Sequence, residues 1–373
     1  MMLMNQNTPV ALLDFVGDIP IGYKKIIDKN KIPLGTIGVN KEHEKILFSH
    51  WFKSRAIPNI RPNLEKIEQK LGINISEATI NSMCLSITDT YWIKNNSEID
   101  FCWEDINYHD NGFDMVFAKY YAGENVIFSK SPDFTTDGVM EKFWYTSCGI
   151  PYLAKIDNKY GNCLSANEVV YFQIAANIGV SSTPYIEGLL NDQKYCASPC
   201  FISNSKENYV SAMQVKHNDF KLTSENLVKY FSDNLGFEKE IKEMITLDCF
   251  LHNTDRHEKN FGYIEKENGL LQFVPMFDNG FCLGVNRSPE NSVTDSDMKL
   301  FNDKRIDILK RYGTLLDIDR NTCFSILKNV YENFGISENL YSSAKKDLDY
   351  GFDIIADYQK IFSFSEIDYE FEK

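Results

Sequence analysis

The chain has 373 residues and a formal net charge of −14. Acidity of that size repels phosphate backbones, which excludes broad non-specific nucleic-acid binding and suits docking to a basic partner. Nine cysteines run from Cys84 to Cys323 without a C-x-x-C, and no apolar stretch approaches bilayer length, so disulfide frameworks, zinc ribbons and membrane spans are excluded and a reducing, cytoplasmic compartment is expected.

The first forty residues carry short apolar runs cut by Gly17, Pro20, Gly22, Pro33, Gly35 and Gly38, the texture of short strands and turns. Residues 41–56 have helical spacing, with Ile46, Leu47, Trp51 and Phe52 on related faces, and Pro58 and Pro62 end the run. Two short helices and a Trp-rich, acidic stretch follow to about Asp110. Phe143–Tyr145 and Pro151–Ile156 read as strands joined at Gly149 in a hairpin. A helix is expected over 165–180, where Ser165-Ala166-Asn167-Glu168 has the form of a capping box. Strand-like segments lie around Tyr185 and over Cys200–Ile202. Helices are expected over 224–235 and 238–252. Phe261–Ile264 and Leu270–Phe277 read as strands around the turn residues Asn268-Gly269. Three helices close the chain, over 321–333, 339–348 and 353–361. The fold class is α+β: an N-terminal region over 1–110, a strand-rich lobe over 111–203 and a mainly helical lobe over 204–373, a two-lobed layout that kinases share with many other α+β folds.

The chemistry concentrates in one stretch. Asn253-Thr254-Asp255-Arg256-His257-Glu258-Lys259-Asn260-Phe261-Gly262 precedes the hairpin, and Met276-Phe277-Asp278-Asn279-Gly280 follows it. Asp255 and Asn260 stand at the interval of a kinase catalytic loop, where a carboxylate orients the proton of the attacking hydroxyl and an amide oxygen can hold a metal. Asp278 sits at a strand end, and magnesium takes oxygen ligands, one or two carboxylates plus triphosphate oxygens being enough. The hairpin brings the two segments back together. The bland alternative for each residue is ordinary Asn and Asp turn chemistry.

Taken in order, these segments resemble the catalytic and metal-binding segments of the HipA family of bacterial serine/threonine kinases, whose fold is related to protein and phosphoinositide kinases. Upstream, Thr135-Thr136-Asp137-Gly138-Val139-Met140-Glu141-Lys142 is similar to that family's phosphate-covering loop, and Tyr152-Leu153-Ala154-Lys155 to its lysine strand. Asn167-Glu168 and Ser198-Pro199-Cys200-Phe201-Ile202 also fit, so the likeness spans about residues 135–284. The first hundred residues match poorly; Tyr91-Trp92-Ile93 and Trp103-Glu104-Asp105-Ile106-Asn107 look like an accessory region found in some HipA-like proteins of Gram-positive bacteria.

The resemblance implies an ATP- and Mg2+-dependent (or Mn2+-dependent) kinase. Asp255 would be the base, and Asn260 and Asp278 the metal ligands. Lys155 would contact the nucleotide phosphates, and Asp137, Gly138, Val139, Met140, Glu141 and Lys142 would lie over them. Pro199, Cys200 and Phe201 would meet adenine, and His257 would brace the loop or approach the phosphates. Glu168 would either pair with Lys155 or cap its own helix. Thr135, with Thr136 beside it, stands where such kinases phosphorylate themselves. The loop holds one glycine, Gly138, in place of G-x-G-x-x-G. The substrate would be a protein hydroxyl, and the partner a small DNA-binding antitoxin. Two other readings stay open: a pseudokinase or nucleotide-binding module, and a metal-dependent phosphohydrolase recruiting His252, Asp255, His257 and Asp278.

Overall fold

Strand pairing starts at the first residues. Met2–Asn5, Thr8–Val16 and Ile19–Ile26 form antiparallel strands, and Tyr91–Lys94 joins the free edge of the first. Leu3, Val10, Ala11, Leu13 and Tyr23 bury against Phe48 and Trp51 of the helix Lys41–Lys53. That helix starts where the Asn40 side chain accepts the His43 N–H. It is shorter than the expected 41–56, and Ile46 faces solvent, not the core.

The computed structural model describes residues 1–17, 19–95, 101–157, 163–219, 222–285, 295 and 297–371. Part of the acidic stretch before Trp103 therefore lies outside the described residues. The chain divides into two units. The first comprises Met1–Ile156, Gly188–Leu222 and Gly262–Val274; the second comprises Asp157–Glu187, Thr223–Phe261 and Pro275–Lys373. The first 110 residues thus fold in the same unit as Lys155.

The first unit also holds the sheet that carries Lys155. Glu141–Ser147 and Ile150–Ile156 form the expected hairpin, turning at Cys148 and Gly149, both at positive φ (51° and 78°), as a two-residue hairpin requires. Gln193–Pro199 pairs on the other side of Ile150–Ile156. Phe143, Ala154, Ile156 and Ala197 bury with Ile67, Phe117 and Phe134. Cys200–Ile202 is not a strand. Pro151 and Pro199 both lack an N–H, so the ladder runs out there, after a last bond from the Cys200 N–H to the Pro151 carbonyl at 2.8 Å. The 268–269 turn is present, but its strands are short, Gly262–Glu265 and Leu271–Phe273, because Pro275 cannot continue the ladder. A third strand, Asn208–Ser211, was not legible in the sequence and pairs with Gly262–Glu265.

The second unit is mainly helical. Leu164–Asn177, Glu238–Leu251 and Arg320–Phe334 form near the expected places, and Arg305–Tyr312 is an additional helix. Residues 224–235 are a short α-helix, Ser224–Lys229, continued by a π turn over Tyr230–Asn234. The last two expected helices are one, Glu338–Phe371. Gly351 does not break it: a Cβ there would lie 2.2 Å from the Phe250 carbonyl oxygen, so glycine serves close helix approach. Among the described residues no helix is long and apolar enough to cross a membrane.

Candidate active site

The loop carrying Asp255 begins at a helix end. Helix Glu238–Leu251 stops at His252, which takes left-handed backbone (φ 55°), and the N–H groups of His252 and Asn253 both return to the Asp248 carbonyl. The loop then bonds to itself and to the segment after the hairpin. The Asn260 N–H donates to the His257 carbonyl at 2.8 Å, and the Lys259 N–H to His257 Nδ1 at 3.2 Å. The Thr254 N–H donates to the Phe281 carbonyl at 3.2 Å, and the Leu283 N–H to the Leu251 carbonyl at 2.8 Å.

Arg256, assigned no role from sequence, organises this place. It is 2% exposed and forms a two-pronged pair with Asp248, Nε to Oδ2 at 2.7 Å and Nη2 to Oδ1 at 3.0 Å. Its Nη1 donates both to the Asn260 carbonyl and to the Phe277 carbonyl, each at 2.9 Å, and Nη2 donates to Asn279 Oδ1 at 2.5 Å. One guanidinium therefore holds the last residue of the D-x-x-x-x-N interval and the residue before Asp278. Burial works to lower its pKa, but the Asp248 carboxylate outweighs burial and the net shift is upward, so the charge is kept. Asp248 also accepts from Tyr171 Oη and Asn253 Nδ2.

Asp278 is a non-glycine residue at φ 58°, a conformation that costs on the order of 1–2 kcal/mol and survives where its surroundings fix it. Both flanking peptides are held. The Asp278 N–H approaches Tyr185 Oη at 3.4 Å, and the Asn279 N–H donates to Glu168 Oε2 at 2.8 Å. Asn167 Nδ2 donates to the carbonyls of Gly280 and Cys282 at 3.0 and 2.9 Å. Glu168 is thus no capping residue. The helix begins at Leu164 with Cys163 as its N-cap, and Ser165 lies inside it, its N–H given to Asp157.

Around Asp255 the charges are close. Lys299 Nζ lies 2.7 Å from Asp255 Oδ1, and His257 Nε2 lies 4.0 Å from Oδ2. Burial lowers the His257 pKa; Asp255 and Asp278 act to raise it, while Lys299 and Lys259 act to lower it. Asn260 Nδ2 donates to the Asp255 carbonyl at 3.4 Å, which turns its Oδ1 to the other side. That oxygen and the Asp278 carboxylate are hard donors of the kind magnesium takes, so the residues present fit such an ion. Among the described residues no three His, Cys, Asp or Glu side chains gather as a metal-holding group. His252, which a hydrolase reading would recruit, is bound by Asp347 at 3.0 Å.

In the first unit, Lys155 is buried and stands directly across the ladder from Lys142, also buried, with Cys196 on its other side. Directly opposed like charges disfavour each other, so each ammonium depends on the groups around it for compensation. Lys142 Nζ donates to the Asp137 carbonyl at 3.1 Å, and the Gly138 N–H to Asp137 Oδ1 at 2.7 Å. Gly138 has φ 94°, and a Cβ there would meet Lys142 Nζ at 2.4 Å. Val139 is exposed, Met140 half-buried, and Glu141 accepts from Asn63 Nδ2. Thr135 is buried, its hydroxyl donating to the Leu85 carbonyl at 2.8 Å; that of Thr136 donates to the Pro132 carbonyl and accepts from Trp144 Nε1. Pro199 ends its strand, burial pushes the Cys200 thiol up to about 12, and Phe201 packs edge-on against Tyr209.

Sequence reasoning missed Arg256, Asp248, Asn279, Lys299 and Arg61. Arg256 and Asn279 were visible beside the two acidic residues, but a single sequence does not distinguish a buried clamp from a loop charge. Asp248 and Lys299 come from outside the motif, and nothing in their spacing announces them.

No protein-family model and no curated protein matches the chain. Solved structures do. A HipA from Shewanella oneidensis MR-1, solved as part of a toxin–antitoxin system with HipB and its operator DNA, covers 96% of this chain and 96% of its own at 11% identity, with a TM-score of 0.54. The chain has the HipA fold. The mixed architecture of the HipA fold, with strand-rich sheets toward the N-terminus and helices toward the C-terminus, is the α+β class expected from sequence. The Helicobacter pylori proinflammatory kinase CtkA matches 59% of this chain and 89% of its own at 19% identity, with a TM-score of 0.48.

Proposed function

We propose that the chain is a HipA-like kinase that transfers the γ-phosphoryl group of ATP to a serine or threonine hydroxyl of a protein. The observation that supports this is the Arg256 fork, in which one nitrogen donates to the carbonyls of Asn260 and Phe277 and so ties the loop that carries Asp255 and Asn260 to the segment that carries Asp278.

Each side chain then has a task. Asp255 accepts the proton as the substrate hydroxyl attacks, and Lys299 beside it holds the carboxylate in place and adds positive charge near the transferred group. Asn260 Oδ1 and Asp278 hold Mg2+ or Mn2+, which when bound neutralises the charge that builds on the phosphate oxygens. His257 braces the loop through its Nδ1. Lys155 contacts the phosphates, residues 137–142 lie over them, and Pro199, Cys200 and Phe201 meet adenine. Glu168 orients the Asp278 segment through the Asn279 N–H. Self-phosphorylation at Thr135 or Thr136 requires the 132–136 turn to open, since both hydroxyls are turned inward. The likeness to a HipA solved with HipB and DNA, together with the charge of −14, supports a small, basic, DNA-binding antitoxin as partner and a cytoplasmic toxin's role.

The test is phosphate transfer from labelled ATP to cell protein by the wild type and Asp255→Ala. Transfer should fall by roughly a hundredfold to ten-thousandfold in the variant with nucleotide binding kept. Binding without transfer in the wild type would make the chain a nucleotide-binding module, and phosphate release from monoesters without ATP would make it a hydrolase.

A further inference from the structure

The loop expected to cover the nucleotide phosphates is not held by its own lobe's strands alone. Arg61, from the N-terminal segment, lies buried beneath it. Its Nε donates to the Gly138 carbonyl at 3.0 Å, and its Nη2 to the carbonyls of Asp137 and Gly138 at 3.1 and 2.8 Å and to that of Thr136. Among the described residues none of its hydrogen bonds goes to a carboxylate, and its Nη1 is buried without a partner. Burial pulls its pKa down to about 10 against the opposing influence of Tyr121, Asp137 and Asp133, so the cation is kept in place at a desolvation cost.

The consequence follows from peptide geometry. In a planar trans peptide the carbonyl of one residue and the N–H of the next point in opposite directions. With the carbonyls of Thr136, Asp137 and Gly138 turned toward Arg61, the N–H groups of Asp137, Gly138 and Val139 turn to the opposite face. Successive N–H groups presented this way make an anion-binding concavity. One of the three already holds an anionic oxygen: the Gly138 N–H donates to Asp137 Oδ1 at 2.7 Å.

We propose that Arg61 is a positioning residue for nucleotide: by fixing three loop carbonyls it aims the N–H groups of Asp137 and Val139 at the phosphates of ATP, together with that of Gly138 once a phosphate oxygen replaces the Asp137 carboxylate there. The loop's one glycine, Gly138, takes φ 94°, and Arg61 holds the carbonyls on either side of it. The N-terminal segment is thereby part of the nucleotide site. This rests on the kinase reading, but the anion cradle is testable without it.

The experiment uses the full chain, as wild type, Arg61→Lys and Arg61→Met. Inorganic tripolyphosphate is titrated while the backbone amides of Asp137, Gly138 and Val139 are followed by NMR, and KM for ATP and kcat are measured for transfer. The wild type should show saturable shifts at those amides. Arg61→Met should weaken tripolyphosphate and raise KM on the order of tenfold, with kcat little changed, since a hydrogen-bonded charge contributes about that much. A purely structural role would lower thermal stability without that split. Arg61→Lys, which keeps the charge but lacks the planar fork of the guanidinium, should fall between, and it decides the matter if Arg61→Met does not fold. Absence of shifts at these amides in the wild type, or unchanged affinity in a folded variant, overturns the inference. Shifts and their loss without phosphate transfer would sink the kinase reading and leave the cradle standing.

Discussion

Asp278 has left-handed backbone, and its charge is among those that act on His257, whose pKa is lowered chiefly by burial. Asp tolerates that conformation better than most residues, and the Arg256, Tyr185 and Glu168 contacts on its two peptides over-determine it. His257 reports the charges around it. Its folded pKa lies below the ordinary value, so the neutral form is favoured; its contribution to stability is present above the unfolded pKa and is lost as pH falls through the folded one. By NMR its imidazole should titrate below about 6.5. Asp255→Asn should move the midpoint further down, because that carboxylate raises it, and Lys299→Met should move it up. Shifts of the opposite sign would mean that His257 does not sit between these charges. At this scale the sequence was informative about which acids and amides to watch. It was silent on the residues that aim them, because a buried arginine in a loop looks like any surface arginine until its partners are known.

Elements are held to one another here by single polar groups. Arg256 ties the end of helix Glu238–Leu251, through Asp248, to the loop and to the Asp278 segment. Asp133 plays a similar part in the first unit, accepting the N–H groups of Phe117 and Trp144 and the Ser131 hydroxyl. Removing one member of a fully buried pair strands the other, so Arg256→Met should cost about 3–5 kcal/mol of stability, measured by denaturant unfolding, and abolish transfer. A variant with wild-type stability would show that the fork is dispensable. Helices and hairpins with strong periodicity or an Asn-Gly turn were legible. The misses have physical causes. Gly351 reads as a break but is there for close packing on Phe250, and the Pro151 and Pro199 positions end a ladder that the apolar run Cys200–Ile202 seemed to extend. The strand Asn208–Ser211 is too short and polar to announce itself, and its partner Gly262–Glu265 is far along the chain.

At the scale of the molecule, the chain crosses between its two units several times. The segment between Asn260 and Asp278 leaves the helical unit after Phe261, forms the hairpin in the other, and returns at Pro275. The formal net charge of −14 is spread over the whole chain and does not bear on how the chain folds. The α+β class was legible because strand-period and helix-period segments separate along the chain; the N-terminal segment's hold on the 136–138 loop was not, because it rests on one arginine 75 residues upstream. The central claim is that Asp278 and Asn260 hold a nucleotide-bound cation. Its most direct test is titration of Mn2+ and ATP into the wild type and Asp278→Ala, with bound Mn2+ counted by electron paramagnetic resonance. One nucleotide-dependent Mn2+ site in the wild type, lost in the variant, is the predicted result; equal Mn2+ binding in both, or none that depends on ATP, would contradict it.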